Sequence, residues 1–593
     1  MLPPSPGAGA GAALPTGTSV PRPEPTPPSA PALDGLDRWP PRADSAARAL
    51  ASELKVTHTA AGVLVRRGRV DARAGLHFLD PKLKTLTSPT AMVDRDVAVS
   101  RLARAARAHE RVCIFGDYDA DGVTSAALLT DVLGTLGAEV VTLLADRFEG
   151  GYGVSHPAME RILATGATLL VTCDCGTSDH ERLALARQRG LDVIVIDHHR
   201  VPEEPLPVLA FLNPHRPDCG FAYKGLASVG LALSVAAGVR AELGVALDMR
   251  TWLDFVALGT IADVAPLDGD NRALVRAGLA VLASGARPGT RALARVSRYV
   301  EGQPLTGEDV SFRFAPRINA PGRLSKPDLA LRLLLAKTDD EARALALEVD
   351  AVCEKRKLLD RAILAEALIL LEDPAMARLP VIVLGKEGWH PGVVGIVAGR
   401  LASRFGKPTI IVGLEGEAGP GSVRGPAGFP LYDALARISD TLLGFGGHQA
   451  AAGVRVSAAS LATVRDRFAE ACAAMGAGAG GRAEEVLPDA RLEDSDGPAQ
   501  VLADFERFEP CGHANPMPRL GLEGALVRSS REVTGGHLQL ELEIGRAPLR
   551  GFALEMGKRA PKAGSRVHVI GKLRRDLYRG GGAVELRVEA MDP

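Results

Sequence analysis

Between about residues 110 and 270, short runs of β-branched and aliphatic residues recur, and acids or imidazoles directly follow several of them. Val112-Cys-Ile-Phe115, Val140-Val-Thr-Leu-Leu144, Leu169-Leu-Val-Thr172 and Val193-Ile-Val-Ile196 are each four or five residues long and continuous rather than alternating in polarity. Strands of that kind are buried on both faces, as in a parallel sheet covered by helices on each side. Asp117 and Asp119 follow the first run, Asp174 the third and Asp197-His198-His199 the fourth. Ligands of open α/β sheets bind beyond the carboxyl ends of the strands, so three strand ends aim acids and imidazoles at one crevice.

Gly116-Asp-Tyr-Asp-Ala-Asp-Gly122 sets three carboxylates at alternate positions. It resembles the start of an EF-hand calcium loop, but that loop needs an acid six residues past the glycine, where Leu128 stands, and a preceding helix rather than a strand. What remains is a set of hard anionic ligands for magnesium or manganese, with an imidazole tilting the choice toward manganese. Such a cluster repels itself without cations. Two divalent ions about 3.5–4 Å apart would neutralise it, activate a water and stabilise the leaving oxygen of a phosphodiester. His198 and His199 point opposite ways on an extended backbone, so one ligates metal while the other orients water or phosphate, unless the chain turns there. Thr124 and Ser125 read as N-caps of the following helix.

The rest of the 593-residue chain reads as about three further units. Hydrophobic residues at 46% and charged residues at 24% describe a globular protein with only local disorder. The Pro/Ala-rich stretch 1–44 is expected to be a disordered tail. Thr338-x-x-Glu341 and apolar residues at three- and four-residue steps predict a helix from Thr338 to about Leu371, stopped by Pro374 and long enough to connect two lobes. Val381-Ile-Val-Leu384 and Thr409-Ile-Ile-Val412 begin a second α/β segment, and Ala473–Ala483 reads as a linker. The alternating runs His537–Ile544, Arg566–Ile570 and Ala583–Val588 predict a small antiparallel sheet or barrel.

Lys+Arg 70 against Asp+Glu 71 leaves a net charge of −1, so any polyanion site must be a local patch; the last fifty or so residues are locally basic. Aromatic residues at 4% leave few base-stacking platforms. Seven scattered cysteines argue against a disulfide framework and for a reducing cytoplasm. Leu226–Leu247, the most apolar long stretch, contains Arg240 and Glu242 and reads as a buried helix, so a soluble cytoplasmic protein without membrane association is expected.

Four segments, Gly116–Ser125, Val171–Ser178, Asp197-His-His199 and Leu258–Pro266, resemble in order and spacing the motifs of the DHH phosphoesterase superfamily. Gly388–Ile396, Ser422-Val-Arg424 and Gly446–Gly453 look like its DHHA1 domain, and Phe508–Pro516 looks like the opening of the C-terminal module of its single-strand-specific 5′→3′ exonucleases. The resemblance covers about residues 45–593. It implies a DHH catalytic domain with an N-terminal helical part over 45–335, a connecting helix over 336–375, a DHHA1 domain over 376–475, and a linker with an OB-like β-barrel over 476–593.

It further implies two divalent ions, Mn2+ or Mg2+, ligated by Asp119, Asp121, Asp174, His198 and Asp263, with Asp117, Asp197 and His199 supporting them or the phosphate. Arg317, Asn319, Arg323, His390, Ser422, Arg424, Gly446, Gly447 and His448 would face the backbone and 5′ phosphate of the nucleic acid; the segment Arg317–Arg323 is expected to be a loop. The implied activity is hydrolysis of single-stranded DNA to 5′-mononucleotides in recombination and repair. The expected partners are single-stranded DNA, a helicase and a single-strand-binding protein, with the chain itself a monomer. The chain departs from the family pattern at Phe115, where many relatives have His, and at Gly512-His-Ala-Asn515, where an acid is common. A phosphodiesterase of short oligonucleotides or small phosphoesters is disfavoured by the extra C-terminal module, and a non-catalytic replication scaffold by retention of all five proposed ligands.

Overall fold

The computed structural model describes residues 36–324, 327–447, 449, 451–477, 486–545, 547–576 and 581–592. Its first sheet contains β1 (Arg111–Gly116), β2 (Glu139–Leu144), β3 (Leu169–Cys173), β4 (Asp192–Ile196) and β5 (Ala210–Leu212), all parallel, in the order 2-1-3-4-5. The continuous polarity of the runs follows from cover on both faces. One face packs under the helices Arg95–Arg107, Ala120–Thr135 and Ser228–Leu243, the other under His156–Ala164 and His180–Gln188. Strand order reverses between β1 and β3, the switch point where a sheet of this order opens a binding crevice.

The second lobe is a mixed sheet of β6 (Ile382–Glu387), β7 (Thr409–Leu414), β8 (Ala418–Arg424), β9 (Gly444–Gly447) and β10 (Ala451–Ser457), in the order 6-7-8-10-9; only β6 and β7 run parallel. Between the lobes runs the helix Asp339–Leu370, 32 residues and so about 48 Å long. The Thr338 hydroxyl accepts from Glu341 N, and acids fill the first turn, where the helix dipole favours them.

After the short β11 (Ala490–Arg491), the strands β12 (Leu520–Val533), β13 (His537–Ile544), β14 (Ala547–Ala553), β15 (Arg566–Arg575) and β16 (Val584–Asp592) close a five-stranded barrel, β12 pairing with both β13 and β15. The N-terminal helices Ser45–Leu54, His58–Arg66 and Ala72–Leu79 bury Leu50, Leu64, Phe78 and Leu79 in the same core as the barrel's Leu522, Leu540 and Val569, although they stand at the opposite end of the chain.

Three sequence expectations need correction. Residues 36–44, assigned to the tail by composition, are structured: Trp39 is 5% exposed, packs with Ile570 and Ala590, and meets the His568 ring edge-on. Proline content hid an anchor whose partners lie more than 500 residues away. Thr124 and Ser125 are buried inside their helix, whose N-cap is Asp119. The segment Arg317–Arg323 is helical, within Ala315–Leu324, with Pro321 inside it; the backbone bond lost at a proline is tolerated in a helix seated by buried Ile318 and Ala320. The expected tail over residues 1–35, residues 478–483 of the expected linker, and His448 lie outside the described residues; Ala473 and Ala474 of that linker instead end the helix Leu461–Ala474.

Candidate metal centre and phosphate cluster

The turn after β1 is tight because Gly122 has no side chain: a Cβ there would lie 2.6 Å from Asp117 N and O. Asp119 Oδ1 accepts from Asp121 N and Gly122 N, fixing the loop on the following helix. Asp121 reaches the start of the helix Ser228–Leu243, taking Ser228 N at 2.7 Å and Val229 N at 3.0 Å. Asp174, after β3, holds φ 62°, a left-handed conformation uncommon away from glycine, and accepts from the Ser228 hydroxyl at 3.1 Å. After β4, Asp197 takes the Thr177 hydroxyl at 2.6 Å and pairs with His199 Nδ1 at 2.7 Å.

The two histidines divide their tasks. His198 Nε2 stands 3.3 Å from Asp174, 3.7 Å from Asp263 and 3.9 Å from Asp121, whereas His199 turns to Asp197 and the Tyr152 hydroxyl at 3.0 Å. Three overlapping donor sets result: Asp117, Asp119 and Asp174; Asp121, His198 and Asp263; and Asp174, His198 and His199. Among the described residues, His198 Nε2 and Asp117 Oδ1 are buried without a hydrogen-bond partner. Orphaned buried polar atoms are rare, and these two lie where hard cations fit carboxylate and imidazole donors.

The electrostatics match. Burial, then the charge of Asp119, raises Asp121 to about 7, and burial with Asp121 and Asp119 raises Asp263 to about 8. Burial and the neighbouring acids raise Asp174 well above the carboxylate range. Burial and His199 lower His198 to about 4, leaving it neutral as a ligand must be. Burial opposes ionisation of both Asp197 and His199, yet their hydrogen bond and opposite charges win, holding Asp197 at about 2 and His199 at about 9.

Beside this cluster lies a group of cations. Arg147 stacks over the Tyr118 ring at 4.3 Å, with its Nε buried and without a hydrogen-bond partner among the described residues. Burial and then Arg147 lower Arg323 to about 10, and the same two causes lower Arg424, so three guanidiniums crowd together. Guanidiniums so placed are suited to the oxygens of an anion such as phosphate. Ser422 and Arg424 lie on β8 against Gly395 of the helix Pro391–Phe405, and His390 N-caps that helix through Nδ1 while meeting the Phe148 ring.

Other predicted binding residues have different partners. Arg317 forms an ion pair with Asp350 of the connecting helix at 2.7 Å and donates to Arg313 O, which ties its guanidinium to the fold. Asn319 Oδ1 accepts from Ala120 N, bracing the first acidic loop. Gly446 and Gly447 lie exposed on the edge strand β9. Reading the sequence missed Arg147, Tyr152, Thr177 and Ser228. The Gly-rich run Glu149-Gly-Gly-Tyr-Gly153 after the second strand is the one local signal that could have drawn attention to the first two.

The switch-point acids, the His198–His199 pair and the mixed second sheet define a protein of the DHH/DHHA1 class. Residues 111–260 match the DHH family N-terminal domain, 378–475 the DHHA1 domain and 488–590 the RecJ OB domain. The chain belongs to the RecJ family. It is 37% identical over 531 residues to the single-stranded-DNA-specific exonuclease RecJ of Dickeya dadantii, covering 84% of this chain and 90% of that protein. To the protein of the same name from Bacillus subtilis it is 33% identical over 536 residues, covering 89% and 67%. A crystal structure of RecJ from Thermus thermophilus in complex with Mn2+ superposes with a TM-score of 0.79 at 32% identity, covering 94% of this chain and 78% of that one; its Mg2+ counterpart gives 0.73.

Proposed function

We propose that this chain is a metal-dependent exonuclease of single-stranded DNA that hydrolyses phosphodiester bonds from the 5′ end and releases 5′-mononucleotides in the cytoplasm. The observation that carries this reading is the meeting of the orphaned His198 Nε2 and Asp117 Oδ1 with a crowded guanidinium group beside them. Two divalent ions, manganese or magnesium, held by Asp119, Asp121, Asp174, His198 and Asp263 would supply water activation and stabilisation of charge on the scissile phosphate and leaving oxygen.

The chain's own groups do the rest. Asp197 fixes the ring of His199, whose charged form lies beside Asp174 and can donate to a phosphate oxygen. Arg147, Arg323 and Arg424 hold the 5′ phosphate, setting which end of the strand enters. The barrel would hold the incoming strand through phosphate contacts and limited stacking.

The test is digestion of 5′-phosphorylated single strands, 5′-blocked single strands, duplex and dinucleotides with manganese, by the wild type and Asp174→Ala. Stepwise release of 5′-mononucleotides from the first substrate alone, abolished by the substitution, is expected. Equal rates on dinucleotides and long strands, or equal digestion by the variant, would overturn the reading.

A further inference from the structure

The segment that carries Asp263 lines two cavities. Asp263–Pro266 border an opening beside His198, and Leu267, Asp268 and Gly269 then form one wall of a separate cavity of about 490 Å3. That cavity lies where the N-terminal helices, the helix Gly269–Ser284 and the turn Ala514–Pro516 meet. Its volume falls within the range of small-molecule sites.

The lining combines apolar surface with one cation, Arg69, that lacks an acidic partner among the described residues. Phe78, Pro81, Leu267 and Pro516 supply the apolar walls. Arg69 lies over the Phe78 ring at 5.8 Å and has no acidic partner among the described residues. Arg272, at 4.0 Å on the same ring, spends its N–H groups on the carbonyls of Phe78, Phe508 and Pro510, so Arg69 is the freer cation. His77 is exposed at the rim. Gly269 begins a 16-residue helix whose N-cap, Asp268, makes no capping hydrogen bond, because its carboxylate accepts from the Tyr223 hydroxyl at 2.8 Å. The Asn271 N–H is taken by the Tyr223 hydroxyl, so of the first turn it is Gly269 that lies at the cavity wall, where the start of a helix favours an anion. Asp268 leaves an acceptor for an amine or hydroxyl.

We propose that this cavity is a second nucleotide site, taking a nucleoside monophosphate unit with its phosphate at Arg69 and its base against the apolar wall of Pro81, Leu267 and Pro516. The proposal rests on the nuclease reading only for the supply of its ligand, which is either the released mononucleotide or a nucleotide of the bound strand. Its occupant touches the segment that follows Asp263 and the turn next to His513, whose Nδ1 bonds Val264 O at 2.8 Å, so binding braces the metal centre from behind.

The test is calorimetric titration of the full chain with thymidine 5′-monophosphate, in an Arg147→Glu background that silences the phosphate cluster. Arg69→Glu and Ala74→Trp, which reverses the charge and fills the space, are each expected to weaken binding about tenfold or more, and Arg69→Lys to restore most of it. Thermal melts matching the parent show that the variants are folded. If both variants bind the nucleotide as the parent does, the proposal is overturned. Binding of an oligothymidylate separates the sources: loss for the mononucleotide alone identifies free product, and loss for the oligonucleotide alone identifies the strand. If the parent binds neither, the proposal fails. Digestion by the wild type is scored separately, so failure of the cavity with digestion intact leaves the nuclease reading standing.

Discussion

Asp121 and Asp263 are carboxyls that the fold holds against their own ionisation, since burial and the adjacent acids raise them to about 7 and 8. In the metal-free chain these groups bind protons more tightly folded than unfolded. Native stability contributed by the bound protons is therefore lost as pH rises from the unfolded carboxyl range through about 8. The melting temperature of the chelated protein is expected to fall between pH 5 and 8. Manganese should raise it again by mass action. Metal must displace those protons, so affinity should climb by up to about tenfold per pH unit for each proton released, readable by calorimetry in buffers of different ionisation enthalpy. A pH-independent affinity would contradict the assignment of ligands. At the same scale, Arg147→Ala should raise KM for 5′-phosphorylated strands about 10- to 100-fold, the worth of a hydrogen bond to a charged group, and hardly change it for strands with a 5′ hydroxyl. Acids at strand ends were legible from pattern. Arg147 was not, because a lone arginine in a loop acquires meaning only when Tyr118, Arg323 and Arg424 fold against it.

The turn Gly512–Asn515 shows an element with a role that its sequence conceals. His513 Nδ1 bonds Val264 O, and Leu267 N donates to His513 O at 2.9 Å, so the turn grips both sides of the backbone that carries Asp263. Val264 holds φ 61°, a strained conformation for a β-branched residue that persists only where neighbours impose it. His513→Ala should weaken manganese binding about 10- to 100-fold, as loss of a ligand's supporting partner does, while leaving the barrel's melting unchanged. An unchanged metal affinity would show that the grip is incidental. Elements with a strong local signal, such as the continuous strands and the capped helix Asp339–Leu370, were legible; the helix around Pro321 was not, because tertiary packing overrides proline's local preference.

Over the whole molecule, the two ends of the chain build one unit. Alternating polarity could place a β module at the C-terminus, but not the N-terminal helices upon it, since pairing Leu50 or Phe78 with Leu540 depends on topology rather than on any local pattern. Trp39→Ala, which empties a site 5% exposed, should therefore destabilise the barrel unit by about 3–5 kcal/mol in a denaturant melt.

The balanced charge has a consequence at the same scale. With a net of −1, long-range attraction for DNA is weak, and on the proposed reading affinity comes from local contacts such as Arg147, Arg323 and Arg424. Each phosphate they neutralise releases counterions, so log K for a single strand should fall linearly with log salt, by about 0.7 per phosphate contacted. Replacing Arg147 should lower that slope by about one contact's share, whereas Trp39→Ala should leave the slope unchanged in whatever protein remains folded. A slope near zero in the wild type would mean that the strand is held by apolar contact alone, and the guanidinium group beside the metal centre would then need another anion.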